Sequence, residues 1–122
     1  MLLRIGIKKG AIFVMIKLPS KVIIKELGPR DGFQMEKQFI ATENKIEIID
    51  MLSECGFKDI QFTAFVHPKA IPNMADADEV AKRIKRLPRV EYTALIPNLK
   101  GYVRAGKAGV KQVEFTDRKS VV

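Results

Sequence analysis

Cysteine and histidine occur once each in this chain of 122 residues, as Cys55 and His67. A lone cysteine excludes an intramolecular disulfide and gives no paired spacing for a metal knuckle, which fits a reducing, cytoplasmic setting. Long apolar runs are also missing. The longest near the start, Ala11 to Ile16, falls far short of the roughly 20 residues that a membrane-spanning helix needs, and no small-residue cleavage pattern follows it. Neither a membrane partner nor an export signal is expected. Low-complexity segments and interdomain linkers are absent too, and the composition, 47% hydrophobic and 30% charged, is that of one folded domain.

Acidic residues are missing from the first 25 positions, where Arg4, Lys8, Lys9, Lys17, Lys21 and Lys25 stand unopposed. This arm and the tail account for most of the formal charge of +8. Between Glu26 and Thr116, 14 basic residues face 13 acidic ones. A small basic nucleic-acid-binding module is therefore the weakest of three alternatives, and no nucleic-acid partner is expected. The cluster Lys82 to Arg89 follows Asp76, Asp78 and Glu79, the order of charge that a helix dipole favours on a solvated face.

What is present alternates between two periods. Val22 to Glu26 is predicted to be a short buried strand, and Thr42 to cap a helix over Glu43 to Cys55 that ends at Gly56. Ile46, Ile49 and Leu52, with Ile48, Met51 and Cys55 beside them, supply its apolar stripe, on which Cys55 is expected to be a small buried hydrophobe. "DIQFTAF", Asp59 to Phe65, is a second strand. A helix over Ala77 to Leu87, a strand over Val90 to Ile96, a helix from Asn98 to Ala108 closed by Gly109, and a strand over Lys111 to Phe115 complete the order. Strands alternating with helices imply right-handed crossovers and a parallel sheet. An open doubly wound sheet and a (β/α)8 barrel both fit, and in both the chemistry gathers at the carboxyl ends of the strands. The exit turn Gly28-Pro29 should then deliver Arg30 and Asp31 to the functional face. Side by side, a carboxylate suits a hard divalent cation and a permanently charged guanidinium suits a developing oxyanion. By spacing alone the signal is weak, and a structural ion pair or Asx turn is the better explanation of such neighbours.

Three motifs in one chain carry more: "ELGPRDGFQ" (Glu26 to Gln34), "FVHPKAIPNMAD" (Phe65 to Asp76) and "IPNLKG" (Ile96 to Gly101). Together they resemble the amino-terminal part of the 3-hydroxy-3-methylglutaryl-CoA lyases, members of the DRE-TIM metallolyases, over about Met15 to Phe115. The resemblance implies a partial (β/α)8 TIM barrel, an Mg2+ or Mn2+ cofactor, an acyl-CoA substrate and a homodimer for the full-length enzyme. It implies that Asp31 is a metal ligand and Arg30 the catalytic arginine that steadies the thioester enolate, with Glu26, Gln34, Gln61 and Asn98 as substrate-binding positions. Lys100 shares the third motif without an assigned role.

Two departures stand against it. Where these lyases read "IETTSF" or similar, this chain reads "IQFTAF", so Gln61 replaces a glutamate and supplies neither charge nor base. A sister lyase acting on another 3-hydroxyacyl-CoA, or an aldol-type acyl-CoA synthase, is therefore the first alternative. Moreover, the family's H-x-H pair, its metal-site asparagine and its catalytic cysteine belong to later strands, so the fragment by itself is expected to be inactive. Expected boundaries are 1–14 as a non-family extension, 15–116 as the lyase section and 117–122 as a non-native tail. The codons GAT CGG AAG AGC GTC GTG would encode the tail "DRKSVV", and that string resembles a sequencing adaptor, so the tail is expected not to be natural protein; different codons in the source nucleotide sequence would refute this. His67, Met74 and Lys69 are read as loop, packing and surface residues, Lys69 with an alternative role against acyl-CoA phosphates.

Overall fold

The structure, a computed structural model, describes residues 2–5 and 14–116. The tail assigned to 117–122 and most of the extension assigned to 1–14 lie outside the described residues. Two strands, β1 (Leu2–Ile5) and β2 (Val14–Lys17), form an antiparallel ribbon of their own, with Leu2 opposite Lys17 and Ile5 opposite Val14.

The main sheet has four strands in the order β3 (Lys25–Glu26), β4 (Asp59–Ala64), β5 (Glu91–Ile96), β6 (Gln112–Phe115), every pair parallel. Sequential strands are thus spatial neighbours, and each connection carries a helix: α2 (Thr42–Glu54), α3 (Ala77–Arg83) and α4 (Leu99–Lys107). Between β3 and α2 the chain makes one wide turn of π-helix (Gly28–Gly32) that runs into the short α1 (Phe33–Met35). Repeated βα units with sequential parallel strands build the wall of a TIM barrel.

Alternation along the strands divides the sheet into two faces. Ile60, Phe62, Tyr92, Ala94 and Ile96 point toward the helices, where they pack with Ile49, Val80, Ala81 and Ala105 in one buried cluster. Phe62 and Tyr92 meet edge to face at 6.3 Å. Each fully buried side chain of this size contributes roughly 1.5–3 kcal/mol. The opposite face carries Lys25, Asp59, Gln61, Thr93 and Glu114, all polar. Near the carboxyl ends of the strands a second small cluster of Ala64, Val66 and Met74, with Phe33, Ile71 and Leu95 against it, floors the loops. Met74 is packed as expected.

Five local expectations are corrected. Only Lys25 and Glu26 of the first strand pair, and Val22, Ile23 and Ile24 are 64–75% exposed. They lie before the ladder begins, where no described element covers them. Ala41, not Thr42, holds the N-cap position of α2 and makes no side-chain cap; the Thr42 hydroxyl donates to Asp76 Oδ2 at 2.7 Å. Cys55 is exposed, because it is the residue after the helix, and its Sγ turns back to the Met51 carbonyl at 3.3 Å. Ile49 is fully buried, with Ile46 and Leu52 half-buried beside it, whereas Ile48 and Met51 are exposed.

α3 stops at Arg83, four residues before the expected end. The polar groups of the next segment find other partners: Lys85 N–H donates to Asp50 Oδ1 (2.8 Å) and Leu87 N–H to the Tyr92 hydroxyl (3.1 Å). That hydroxyl also lies 2.8 Å from Ser53 Oγ inside the core. The buried tyrosine thereby has polar partners for its hydroxyl, and the segment after Arg83 has partners outside the helix. Gly56 and Gly109 have positive φ, +93° and +81° respectively, at the ends of α2 and α4, as expected.

Candidate functional site

Arg30 and Asp31 occupy the first loop after β3, at the carboxyl end of the strand. The Leu27 carbonyl accepts from the backbone N–H groups of both, at 3.1 and 2.7 Å, so the turn itself places the pair. Gly28 lets Glu26 fold back on the turn: Glu26 Oε1 accepts the Gly28 N–H at 2.6 Å, and a Cβ there would sit 2.8 Å from that oxygen and push the carboxylate aside. Pro29 beside it is buried.

The two side chains have different freedom. Arg30 is 16% exposed, with Nε donating to Gln61 Oε1 at 2.5 Å and Nη1 to Asp31 Oδ1 at 3.1 Å; Asp31 is 62% exposed. The arginine is held, and the carboxylate remains accessible. Gln61 Nε2 donates onward to Glu114 Oε2 at 2.6 Å. Glu114 Oε1 is ion-paired with Lys25 Nζ, which also lies 3.4 Å from Asp59 Oδ2. One polar chain therefore crosses the inner face from Asp31 through Arg30, Gln61 and Glu114 to Lys25 and Asp59. Asp59 Oδ1 and Thr93 Oγ1 are buried on that face without a hydrogen-bond partner.

Of the residues expected from sequence, Arg30, Asp31 and Gln61 are brought together. Glu26 is not part of that chain; it lines a cleft of about 790 Å3 on the helix side, with Phe33, Phe39 and Ile48, that includes none of the three. Gln34 is half-buried in α1. Asn98 is spent locally, its Oδ1 accepting from Gly101 N–H at 3.0 Å as the N-cap of α4. The His67 ring accepts the Lys69 N–H at 3.2 Å in a loop turn, the structural role expected of it.

Glu114 and Lys25 escaped the sequence reading, although strand alternation puts Lys25 on the face of Gln61 and the hydrophobic Val113 beside Glu114 points the other way. A buried clamp behind the loop escaped it as well. Asn73 Oδ1 accepts from Ile40 N–H (2.8 Å) while Nδ2 donates to the carbonyls of Glu36 (2.9 Å) and Gln38 (3.0 Å). Lys45, 2% exposed, donates to the Asn73 carbonyl and to Asp76 Oδ1 at 2.6 and 2.8 Å and stacks over Phe39. These bonds fix the segment that follows Arg30 and Asp31.

A hard divalent ion takes carboxylate oxygens, and Asp31, accessible and with one oxygen on Arg30, fits as one ligand. Among the described residues no group of three His, Cys, Asp or Glu side chains could complete a cage.

A wall of parallel strands with a guanidinium and an accessible carboxylate at the carboxyl rim of its first strand has the layout of a TIM barrel, a fold whose chemistry sits at that end. The comparisons with known proteins narrow the class. The HMGL-like family model matches residues 21–121, and the chain belongs to that family. It is 52% identical over 101 residues to the mitochondrial hydroxymethylglutaryl-CoA lyase of Macaca fascicularis, covering 83% of this chain and 31% of that protein. Among solved structures, the Bacillus subtilis HMG-CoA lyase superposes with a TM-score of 0.79 at 48% identity, over 82% of this chain and 34% of that one. An Acinetobacter baumannii HMG-CoA lyase in complex with coenzyme A and 3-methylmalate gives 0.75 at 43% identity, over 76% and 30%. The chain spans about a third of the length of the relatives it matches.

Proposed function

We propose that this chain is a section of a metal-dependent carbon–carbon lyase that cleaves 3-hydroxy-3-methylglutaryl-CoA to acetyl-CoA and acetoacetate. The observation that carries the proposal is the pairing of a held Arg30 with an accessible Asp31 at the strand-end rim. In the reaction, the tertiary hydroxyl loses its proton, the adjacent carbon–carbon bond breaks and its electron pair moves onto the thioester as an enolate. Arg30 keeps a fixed positive charge near that developing oxygen, and its bond to Gln61 prevents the side chain from following solvent. Asp31 would hold Mg2+ or Mn2+, whose contribution when bound is to lower the pKa of a coordinated hydroxyl. Gln61 can orient and donate but cannot remove the proton. The base must therefore come from elsewhere in the enzyme, and the isolated 122-residue chain is proposed to be inactive.

An acyl-CoA is the expected ligand class, supported by the coenzyme A complex of the Acinetobacter relative. Gln61 favours keeping a second reading, a lyase for a related 3-hydroxyacyl-CoA on the same scaffold. The test is a chimera in which residues 21–116 replace the matching segment of the Bacillus subtilis lyase. Metal-dependent release of acetoacetate from 3-hydroxy-3-methylglutaryl-CoA is expected. A folded chimera that cleaves only another 3-hydroxyacyl-CoA would transfer the assignment to the second reading, and one that cleaves none would defeat both.

A further inference from the structure

The geometry points to Glu114 as a positioning residue for Arg30, acting through Gln61. The inference rests on the lyase reading for its meaning, but not for its test. A carboxylate can only accept hydrogen bonds, so Glu114 Oε2, 2.6 Å from Gln61 Nε2, dictates which way the amide faces. With the amide nitrogen turned to Glu114, the amide oxygen must face Arg30 Nε, which it meets at 2.5 Å. Gln61 is 1% exposed, so water does not compete for either end.

Gln61 is neutral and brings no charge of its own to this face. Glu114, two strands away on β6, supplies a negative charge there. The intervening register partner of Gln61 is Thr93 on β5, short enough for the two longer side chains to meet across it. The Lys25 ammonium is ion-paired with that carboxylate, with Asp59 next to it. Glutamine and glutamate therefore act as a unit, a relay from the carboxylate on β6 to the guanidinium.

The test is nuclear magnetic resonance on the full chain, reading exchange of the Arg30 Nε–H proton with water at fixed pH. Hydrogen bonds to charged groups stabilise enough to change such exchange by about tenfold or more. E114Q, which keeps the shape and removes the charge, is expected to speed Arg30 Nε–H exchange by about tenfold. The swap Q61E/E114Q, which puts the carboxylate directly on Arg30, is expected to restore protection. An E114Q chain whose exchange matches the parent, or a swap that fails to recover it, overturns the relay. None of these measurements reads turnover, so the relay and the lyase reading fail separately.

Discussion

In the proposed reaction the value of Arg30 lies in its being held, by Gln61 and Asp31. A guanidinium free in solvent would lose rotamer entropy on meeting a developing enolate, whereas one already bonded to Gln61 and Asp31 has lost it on folding. R30Q in the chimeric enzyme is expected to lower turnover by about 10²- to 10³-fold, the usual loss for one oxyanion stabiliser, with a smaller change in KM. Gln61 makes a complementary prediction. Q61E alone sets a second carboxylate against Glu114 at hydrogen-bond distance, and two such groups cannot both ionise cheaply. The new carboxylate faces Arg30 Nε as well as Glu114, and the N–H donor to Glu114 is lost, so the variant is expected to be less stable than the parent at neutral pH and to recover in acid, where a shared proton replaces that donor. Urea denaturation of Q61E at acid and neutral pH reads this directly; a pH-independent midpoint difference from the parent would speak against the pair. Arg30 and Asp31 were legible in the sequence because glycine and proline mark the turn before them. Glu114 was not, since one acid in a strand otherwise reads as a solvated face.

The elements are joined by bonds that hydropathy patterns do not encode. Asn73 has three hydrogen bonds to the loop Glu36–Ile40 and is buried, so N73A strands backbone groups and should cost about 2–3 kcal/mol, read as a shift in urea midpoint. Gly101 shows a different constraint. A Cβ there would stand 2.5 Å from the Phe65 carbonyl oxygen, which is backbone and cannot swing aside. G101A is expected to destabilise by about 1–3 kcal/mol despite the higher helix propensity of alanine, because the first turn of α4 would have to leave β4. A stable G101A chain would refute that close approach. β4, β5 and β6 were legible from their runs of β-formers, and α2 and α4 from period and terminal glycine. The first strand was misjudged because three consecutive apolar residues look buried whether or not anything covers them. The end of α3 was misjudged because the groups that bond the segment after it, Asp50 and Tyr92, lie on other elements.

At the scale of the whole molecule, four parallel strands divide chemistry from stability. The helix-facing side holds the apolar core, and the inner side carries a charge network that ends at the rim. Side chains from several strands meet on the inner face, as they do in the layered interior of a barrel, although here they are polar. Acetoacetate release by the isolated 122-residue chain is expected to be undetectable, since the described residues hold one metal-fitting carboxylate and no set of three. Measurable metal-dependent release would contradict this. The most direct measurement of the central claim is the divalent-ion dependence of the chimeric lyase with Asp31 intact and as D31N. The parent chimera should need Mg2+ or Mn2+, and D31N should demand at least about tenfold more of the ion for half-maximal rate, in line with the loss of one ligand or its support. Equal ion requirement and equal turnover in the two would contradict the assignment of Asp31 as a metal ligand.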